Sequence, residues 1–439
     1  MGEGMDIAPS PGHDPHGVVG ATRQSFILPG YRLGFALVIS LFFLWALANN
    51  LNDILIRQFQ KSLGLDRAQA GFIQFIFYIG YFTMAMPAGL IMRRFGYKAG
   101  ILVGLGLYAA GAFLFFPASI ARTFPMFLTA LFVIAAGAAF LETAANPYIT
   151  AFGDPASASQ RLTLAQAFNG VGGFLAPVIG GLFIFSGVEH SRQAIAAMAP
   201  AQLAAYRAAE AQTVQLPYLM LGGLVLLVAL AFAFARLPKL DHGADPGEAG
   251  KGQLRRVLSR PQLRGAVIAQ LVYNGAQVGI WSFFIDFVKD TLPMVSEKQA
   301  AFLLSFSLIL FMIGRFMGAA LMTRVRPAIL LGLYALINIA LTGTALASTG
   351  YIAVGALALT SFFMSIMYPT IFSLGVTGLG PLMPLGSSCL VMAVVGGAII
   401  PPLMGQIALQ TGSLHLSMLL PILCFIVVAL YARTAARVA

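Results

Sequence analysis

Long apolar runs recur along this chain, each about as long as a bilayer is thick, with short polar turns between them. A membrane-spanning helix needs about 20 mostly apolar residues. Twelve runs qualify: 34–58, 69–92, 99–118, 125–150, 161–186, 215–236, 264–288, 300–322, 328–348, 351–375, 384–409 and 414–433. One longer charged stretch interrupts the series at 237–263. Asp241, Gly243, Asp245, Pro246, Gly247, Glu248 and Gly250 mark it as a linker. The pattern predicts an all-α integral membrane protein of twelve transmembrane helices. Its parts are a tail (1–33), a six-helix unit (34–236), a central loop (237–263), a second six-helix unit (264–433) and a short tail (434–439).

Composition agrees. Of 439 residues, 59% are hydrophobic and only 9% charged. In soluble proteins about a quarter are charged. The net charge of +11 could suggest nucleic acid, but its distribution excludes that. Most Lys and Arg fall in alternate loops, including Arg93, Arg94 and Lys98, then Arg161, Arg255, Arg256, Arg260, Arg315 and Arg324. This is the positive-inside pattern with both termini cytoplasmic, which fits a multi-pass protein of the cell inner membrane. The first 27 residues contain Pro, Gly and His without an apolar core, and read as a cytosolic tail rather than a signal peptide. Cys389 and Cys424 lie in different apolar helices, so a disulfide framework is not expected. The five histidines lie in tails, loops or at a helix edge. No metal spacing, P-loop or nucleophile elbow is present. The chain reads as no enzyme and as needing no cofactor.

The two halves resemble each other at a near-constant offset. Gly172-Gly173 and Pro177 match Gly396-Gly397 and Pro401, and Asn146-Pro147 matches Tyr368-Pro369. Asn50 and Asp53 match Asn274 and Gln277. The shared order argues for a duplicated six-helix unit. The paired prolines Pro147, Pro177, Pro369 and Pro401 read as bends in helices that line a cavity.

Of 15 acidic residues, Asp53 and Glu142 stand inside apolar runs, and the others fall in tails, loops or helix ends. A charge at the bilayer centre costs about 2.5–3.5 kcal/mol even on lenient scales, so it normally faces a partner or a watery cavity. Both are candidate proton-coupling groups, with Asp53 the main one and Glu142 a relay that also contacts substrate. Paired polar residues surround them: Asn50 with Asp53, Glu142 with Asn146, Gln166 with Asn169, and Asn274, Gln277 and Trp281 stepping by three and four. Spacings of three and four share one helix face. Together with Tyr368 these side chains are expected to line one central pocket. Amides donate and accept, and Tyr and Trp add flat apolar faces, a mixture suited to a neutral polyhydroxylated solute such as a sugar. Arg315 is placed near a cytoplasmic helix end.

With these residues in view, the chain resembles the major facilitator superfamily, and within it the fucose/galactose/glucose–proton symporter family. The resemblance is carried by Ser40–Trp45, Ala48–Leu55, Gln69–Gln74, Leu141–Pro147, Leu164–Asn169 and Tyr368–Gly375. It implies two pseudosymmetric six-helix bundles, alternating access and proton-coupled uptake of L-fucose or a related hexose or 6-deoxyhexose. The partners it implies are a sugar, protons and membrane lipid, with no nucleic acid and a monomeric carrier. The family's membrane acids fall on Asp53 and Glu142, and its sugar-site residues on Gln166, Asn169 and Tyr368. Two positions depart from it. Arg57 stands where the family usually has Pro, and Asn274 where a small apolar residue is usual. The second leaves the identity of the sugar open. Competing readings are export of another polar metabolite and a sugar sensor that transports nothing.

Overall fold

The computed structural model describes residues 25–63, 67–183, 195, 197–238 and 253–438. Within its helices the side chains of 48, 52–57, 60–61, 67–72, 74, 177–178, 180–182, 253, 297 and 438 lie outside the description. The side chains of Asp53, Arg57 and Pro177, the N-terminal tail up to residue 24 and most of the central loop lie outside the described residues.

The described helices are α1 (Arg32–Leu63), α2 (Arg67–Phe95), α3 (Tyr97–Ala121), α4 (Phe124–Thr150), α5 (Ala158–Phe183), α6 (Pro200–Gln212), α7 (Gln215–Phe234) and α8 (Gln253–Leu258). They continue with α9 (Pro261–Thr291), α10 (Glu297–Leu321), α11 (Pro327–Ala347), α12 (Gly350–Met364), α13 (Met367–Val376), α14 (Met383–Met392), α15 (Gly396–Thr411), α16 (Leu414–Ser417) and α17 (Leu419–Val438). Among the described residues, ten stretches are long and apolar enough to cross a membrane. The long helices α5 and α9 are not among them and carry the amides Gln166 and Asn169, and Gln270, Asn274 and Gln277. With these two included, the spans are the twelve expected from sequence.

Lipid supplies no hydrophobic drive between helices, so small residues that let backbones approach closely hold them together. In the first half α3 packs on α4, α2 on α4, α1 on α5 and α3 on α7. A Cβ on Gly137 of α4 would lie 2.7 Å from the Gly104 carbonyl oxygen and 2.8 Å from Tyr108 Cα of α3. Only glycine fits there. In the second half α9 packs on α15 and α17, and α11 on α12 and α17.

Polar groups close the turns. Arg161, counted from sequence among the loop charges, is fully buried. Its guanidinium donates to the carbonyls of Ile149, Thr150, Asp154 and Phe26 and to Ser157 Oγ. It thereby ties the α4–α5 turn to the segment before α1. Lys98 caps the end of α7 through the Ala233 and Ala235 carbonyls at 2.8 and 3.1 Å. At the opposite end of the molecule, Gln58 of α1 donates to the Glu210 carbonyl (2.8 Å), the Glu210 carboxylate (2.6 Å) and Thr213 Oγ1 (3.0 Å). This clips α6 onto α1.

Two spans read as single helices are broken. Run 351–375 becomes α12 and α13 with Ser365 and Ile366 between them, and run 384–409 becomes α14 and α15 joined by a 3-10 turn at Ala393–Val395. The first break has a physical cause. Pro369 has no N–H to give the Ser365 carbonyl four residues earlier. Arg315 Nε bonds that carbonyl instead, at 3.4 Å. Tyr273 Oη donates to the neighbouring Met364 carbonyl at 3.0 Å. Asn338, with its amide oriented to suit, bridges the Thr360 carbonyl at 3.1 Å and the Met364 N–H at 3.2 Å. Buried carbonyls freed by the break are thus satisfied from α9, α10 and α11.

Candidate functional site

The site is built around Glu142, which is 7% exposed on α4. A carboxylate offers only acceptors, and in an apolar interior it needs donors around it. Tyr368 of α13 donates to Glu142 Oε1 across the gap between the two halves. The Tyr81 hydroxyl of α2 faces the same carboxylate, and Asn49 Nδ2 donates to Tyr81 Oη at 3.1 Å. One turn further along α4, Asn146 Nδ2 reaches Tyr368 Oη at 3.4 Å. Gln166 Nε2 of α5 donates to Asn146 Oδ1 at 3.3 Å. Five helices, α1, α2, α4, α5 and α13, thus meet in one chain of amides, phenols and a carboxylate.

Arg315 enters the same chain from the second half. Sequence placed it near a helix end. The structure instead holds it 6% exposed between the halves. Its Nη1 donates to the Gln166 carbonyl and, at 3.2 Å, to Asn169 Oδ1. Asn169 Nδ2 in turn donates to the Phe42 carbonyl of α1 at 3.1 Å. The guanidinium carbon lies 4.4 Å from the centre of the Phe311 ring, and that ring meets Trp281 edge-on with centroids 5.0 Å apart. Planar, doubly bonded and stacked on an aromatic ring, this cation is doing what Lys could not. Its signal in sequence was an Arg six residues inside the end of a spanning run.

The remaining expected residues divide in two. Trp281 Nε1 donates to Ser361 Oγ at 2.9 Å, and Ser361 pairs with Ser307 at 2.7 Å. Asn50 and Asn274 turn back on their own helices, donating at 2.8 Å to the Ala46 and Gln270 carbonyls. Gln277 is half-buried on α9. The structure therefore joins Glu142, Tyr368, Asn146 and Gln166 directly, and Asn169 through Arg315. Asn50, Asn274, Gln277 and Trp281 stand on the flanking helices α1 and α9. Tyr81 and Arg315 are members that sequence reasoning did not assign to the site.

Contacts between the halves cluster towards the end that carries the chain termini. Ser159 and Ser373 Oγ atoms meet at 2.5 Å, and Thr163 Oγ1 reaches Met322 Sδ at 3.7 Å. A Cβ on Gly89 of α2 would lie 2.9 Å from the Pro384 carbonyl oxygen of α14. Together they hold the two halves against each other on that side of the site, which is the closed side.

The Major Facilitator Superfamily model matches residues 33–381. The chain belongs to that superfamily. It is 44% identical over 415 residues to the L-fucose-proton symporter of Escherichia coli strain K12, covering 93% of each chain. It is 39% identical over 401 residues to the glucose/galactose transporter of Brucella abortus biovar 1, covering 91% of this chain and 93% of that one. Among solved structures it matches that of a Major Facilitator Superfamily transporter, FucP, in the outward conformation. That match has TM-score 0.86 and 44% identity, over 92% of this chain and 99% of the other. This Major Facilitator chain thus has the two-bundle fold of a multi-pass membrane transporter. The relatives are transporters, and this chain is a transporter rather than an enzyme.

Proposed function

We infer that this chain is a proton-coupled sugar symporter that takes up L-fucose or a related hexose or 6-deoxyhexose by alternating access. The observation that carries the reading is the Glu142–Tyr368 hydrogen bond, which joins a buried ionisable group to the opposite bundle inside a chain of amides. Sugar hydroxyls both donate and accept, so they can replace the Asn146–Gln166 and Asn146–Tyr368 bonds one for one. Proton loading at Glu142 removes its charge and changes what the carboxyl offers Tyr368. The bond between bundles then depends on the proton as well as on the sugar. Asp53, on α1, takes the main proton-coupling role, with Glu142 as sugar contact and relay. Gln166, Asn169 and Tyr368 bind the sugar, and Asn50, Asn146, Asn274, Gln277 and Trp281 complete the pocket. The carrier works as a monomer in the inner membrane, with both termini and the central loop in the cytoplasm. The closed end is then the cytoplasmic one, and the state is outward-facing.

Arg315 raises a second reading, an anionic solute. Three of its five N–H groups are committed to the Gln166 and Ser365 carbonyls and to Asn169 Oδ1, and its face lies on Phe311. It braces the bundles, and the amides and phenols around it favour the neutral sugar. Counterflow in proteoliposomes, with a panel of labelled hexoses and 6-deoxyhexoses, tests the reading. Exchange of at least one such sugar is expected. Uptake should collapse with a protonophore and persist without sodium. Sodium-dependent uptake that survives the protonophore would overturn the proton coupling.

A further inference from the structure

Gln270 of α9 is fully buried, and both polar atoms of its amide lack a hydrogen-bond partner among the described residues. An unpaired amide is among the costlier things to bury, so its presence asks for a use elsewhere in the cycle. Its place on the helix suggests one. At about 100° per residue, Gln270, Asn274, Gln277 and Trp281 fall within an arc of roughly 60° on α9 and span about 16 Å. Burial rises steadily along this polar stripe. Trp281 and Gln277 are half-buried, Asn274 is 6% exposed and Gln270 is 0% exposed. The stripe thus grows more buried towards the end that bears the termini. The internal repeat isolates the feature further. Asn274 donates to the Gln270 carbonyl as Asn50 donates to the Ala46 carbonyl. The position that matches Gln270 in the first half is therefore an alanine, and the turn itself does not need an amide side chain.

We propose that Gln270 is a positioning residue for the substrate on the release side. When the carrier opens towards the termini, its amide bonds sugar hydroxyls that are leaving the central pocket. This rests on the sugar-symport reading. In the state described here Gln270 is shut away from solute arriving at the far end, so it acts on one half of the cycle only. Its unpaired burial also disfavours the closed terminal end, which promotes opening on that side.

The test is Gln270→Met, which keeps the volume and removes both polar groups, beside Gln270→Ser, which is smaller and still polar. Sugar binding from the far side, measured on purified protein, is expected to stay within about twofold of the unaltered carrier. The half-saturating sugar concentration for efflux from the terminal side is expected to rise about fivefold or more in Gln270→Met, and less in Gln270→Ser. Equal efflux constants in Gln270→Met and the unaltered carrier would overturn the inference while leaving symport intact. If Gln270→Met loses binding from both sides through misfolding, the same comparison in Gln270→Ser decides. An unaltered carrier that exchanges no sugar would overturn the symport reading, and this inference with it.

Discussion

Asn50 in the first bundle and Asn274 in the second do the same thing. Each amide donates 2.8 Å to the carbonyl four residues earlier on its own helix. Around that shared turn the bundles diverge. The first carries the acids, Asp53 and Glu142, and the amides Asn146, Gln166 and Asn169. The second answers with a hydroxyl, Tyr368, a cation, Arg315, and the amide stripe on α9. Duplication supplies the scaffold, and the chemistry lies in what the two copies do not share. The acids of the site stand in one bundle, and Tyr368 of the other bonds one of them across the gap. The bonds Tyr368–Glu142, Arg315–Gln166 and Arg315–Asn169 all cross between the bundles. On the proposed reading, a proton on Glu142 alters the Tyr368 bond and with it one bundle's grip on the other.

The sharpest way to break this comparison is to give the first bundle the second bundle's residue type at its main acid. Asp53→Asn removes the ionisable group and nearly preserves its shape. One charge moved through about 100 mV is worth about 2.3 kcal/mol, and one pH unit adds about 1.4 kcal/mol. Together they sustain a sugar ratio of a few hundred, at tenfold per about 1.4 kcal/mol. In Asp53→Asn vesicles that ratio is expected to fall to about one while sugar exchange continues. Undiminished accumulation in this variant would remove Asp53 from the coupling mechanism.

Glu142→Gln tests the bond between bundles. Glutamine still offers Tyr368 an acceptor, but it never ionises. Sugar affinity is expected to fall about tenfold or more, since charged hydrogen bonds contribute about 1.5–3 kcal/mol. Exchange should also lose most of its pH dependence. Binding titrations and exchange rates between pH 5 and 8 check both. If neither changes, Glu142 is a structural residue.

Arg315→Lys keeps the charge and discards the planar fork. One ammonium on a flexible stem cannot hold the Gln166 carbonyl, Asn169 Oδ1 and the Ser365 carbonyl in place while stacking on Phe311. The turnover rate is expected to fall about tenfold, equivalent to raising the barrier by about 1.4 kcal/mol. The protein should still fold and bind sugar. Initial uptake rates at saturating sugar distinguish this outcome from simple loss of affinity.

Much of this was legible in the sequence, for physical reasons. Lipid demands long apolar helices, so the spans stand out, and it penalises charge, so Glu142 stands out within them. Helical spacing then paired Glu142 with Asn146 and Gln166 with Asn169. What could not be read depends on which helices meet. Arg315 looked like a loop-side charge, because only the fold reveals Gln166 and Ser365 opposite it. The break between α12 and α13 was likewise hidden. Pro369 announced a kink, but a full break needed Tyr273, Arg315 and Asn338 to satisfy the freed carbonyls. The Gln58–Glu210 clip joins residues far apart in the chain, so no local pattern announces it.

The smallest expected effect sharpens the comparison where the bundles are most alike. Asn50 and Asn274 share their backbone bond, so any difference between Asn50→Ala and Asn274→Ala reflects what lies around each turn. Asn50 is confined by the first bundle, since a Cβ on Gly173 would lie 3.1 Å from its Nδ2. Asn274 stands on the α9 stripe between Gln270 and Gln277. On the proposed sugar-symport reading, its amide oxygen is the group placed to recognise a hydroxyl that a 6-deoxyhexose lacks, since its Nδ2 already bonds the Gln270 carbonyl. A single neutral hydrogen bond contributes about 0.5–1.5 kcal/mol. Asn274→Ala should therefore weaken binding of hexoses with a 6-hydroxyl about two- to tenfold and leave 6-deoxyhexoses unchanged. Asn50→Ala should shift both classes equally. Competition binding with matched sugar pairs that differ only at that hydroxyl separates the two. Equal shifts for both classes in Asn274→Ala would reduce the second bundle's turn to the scaffold role of the first.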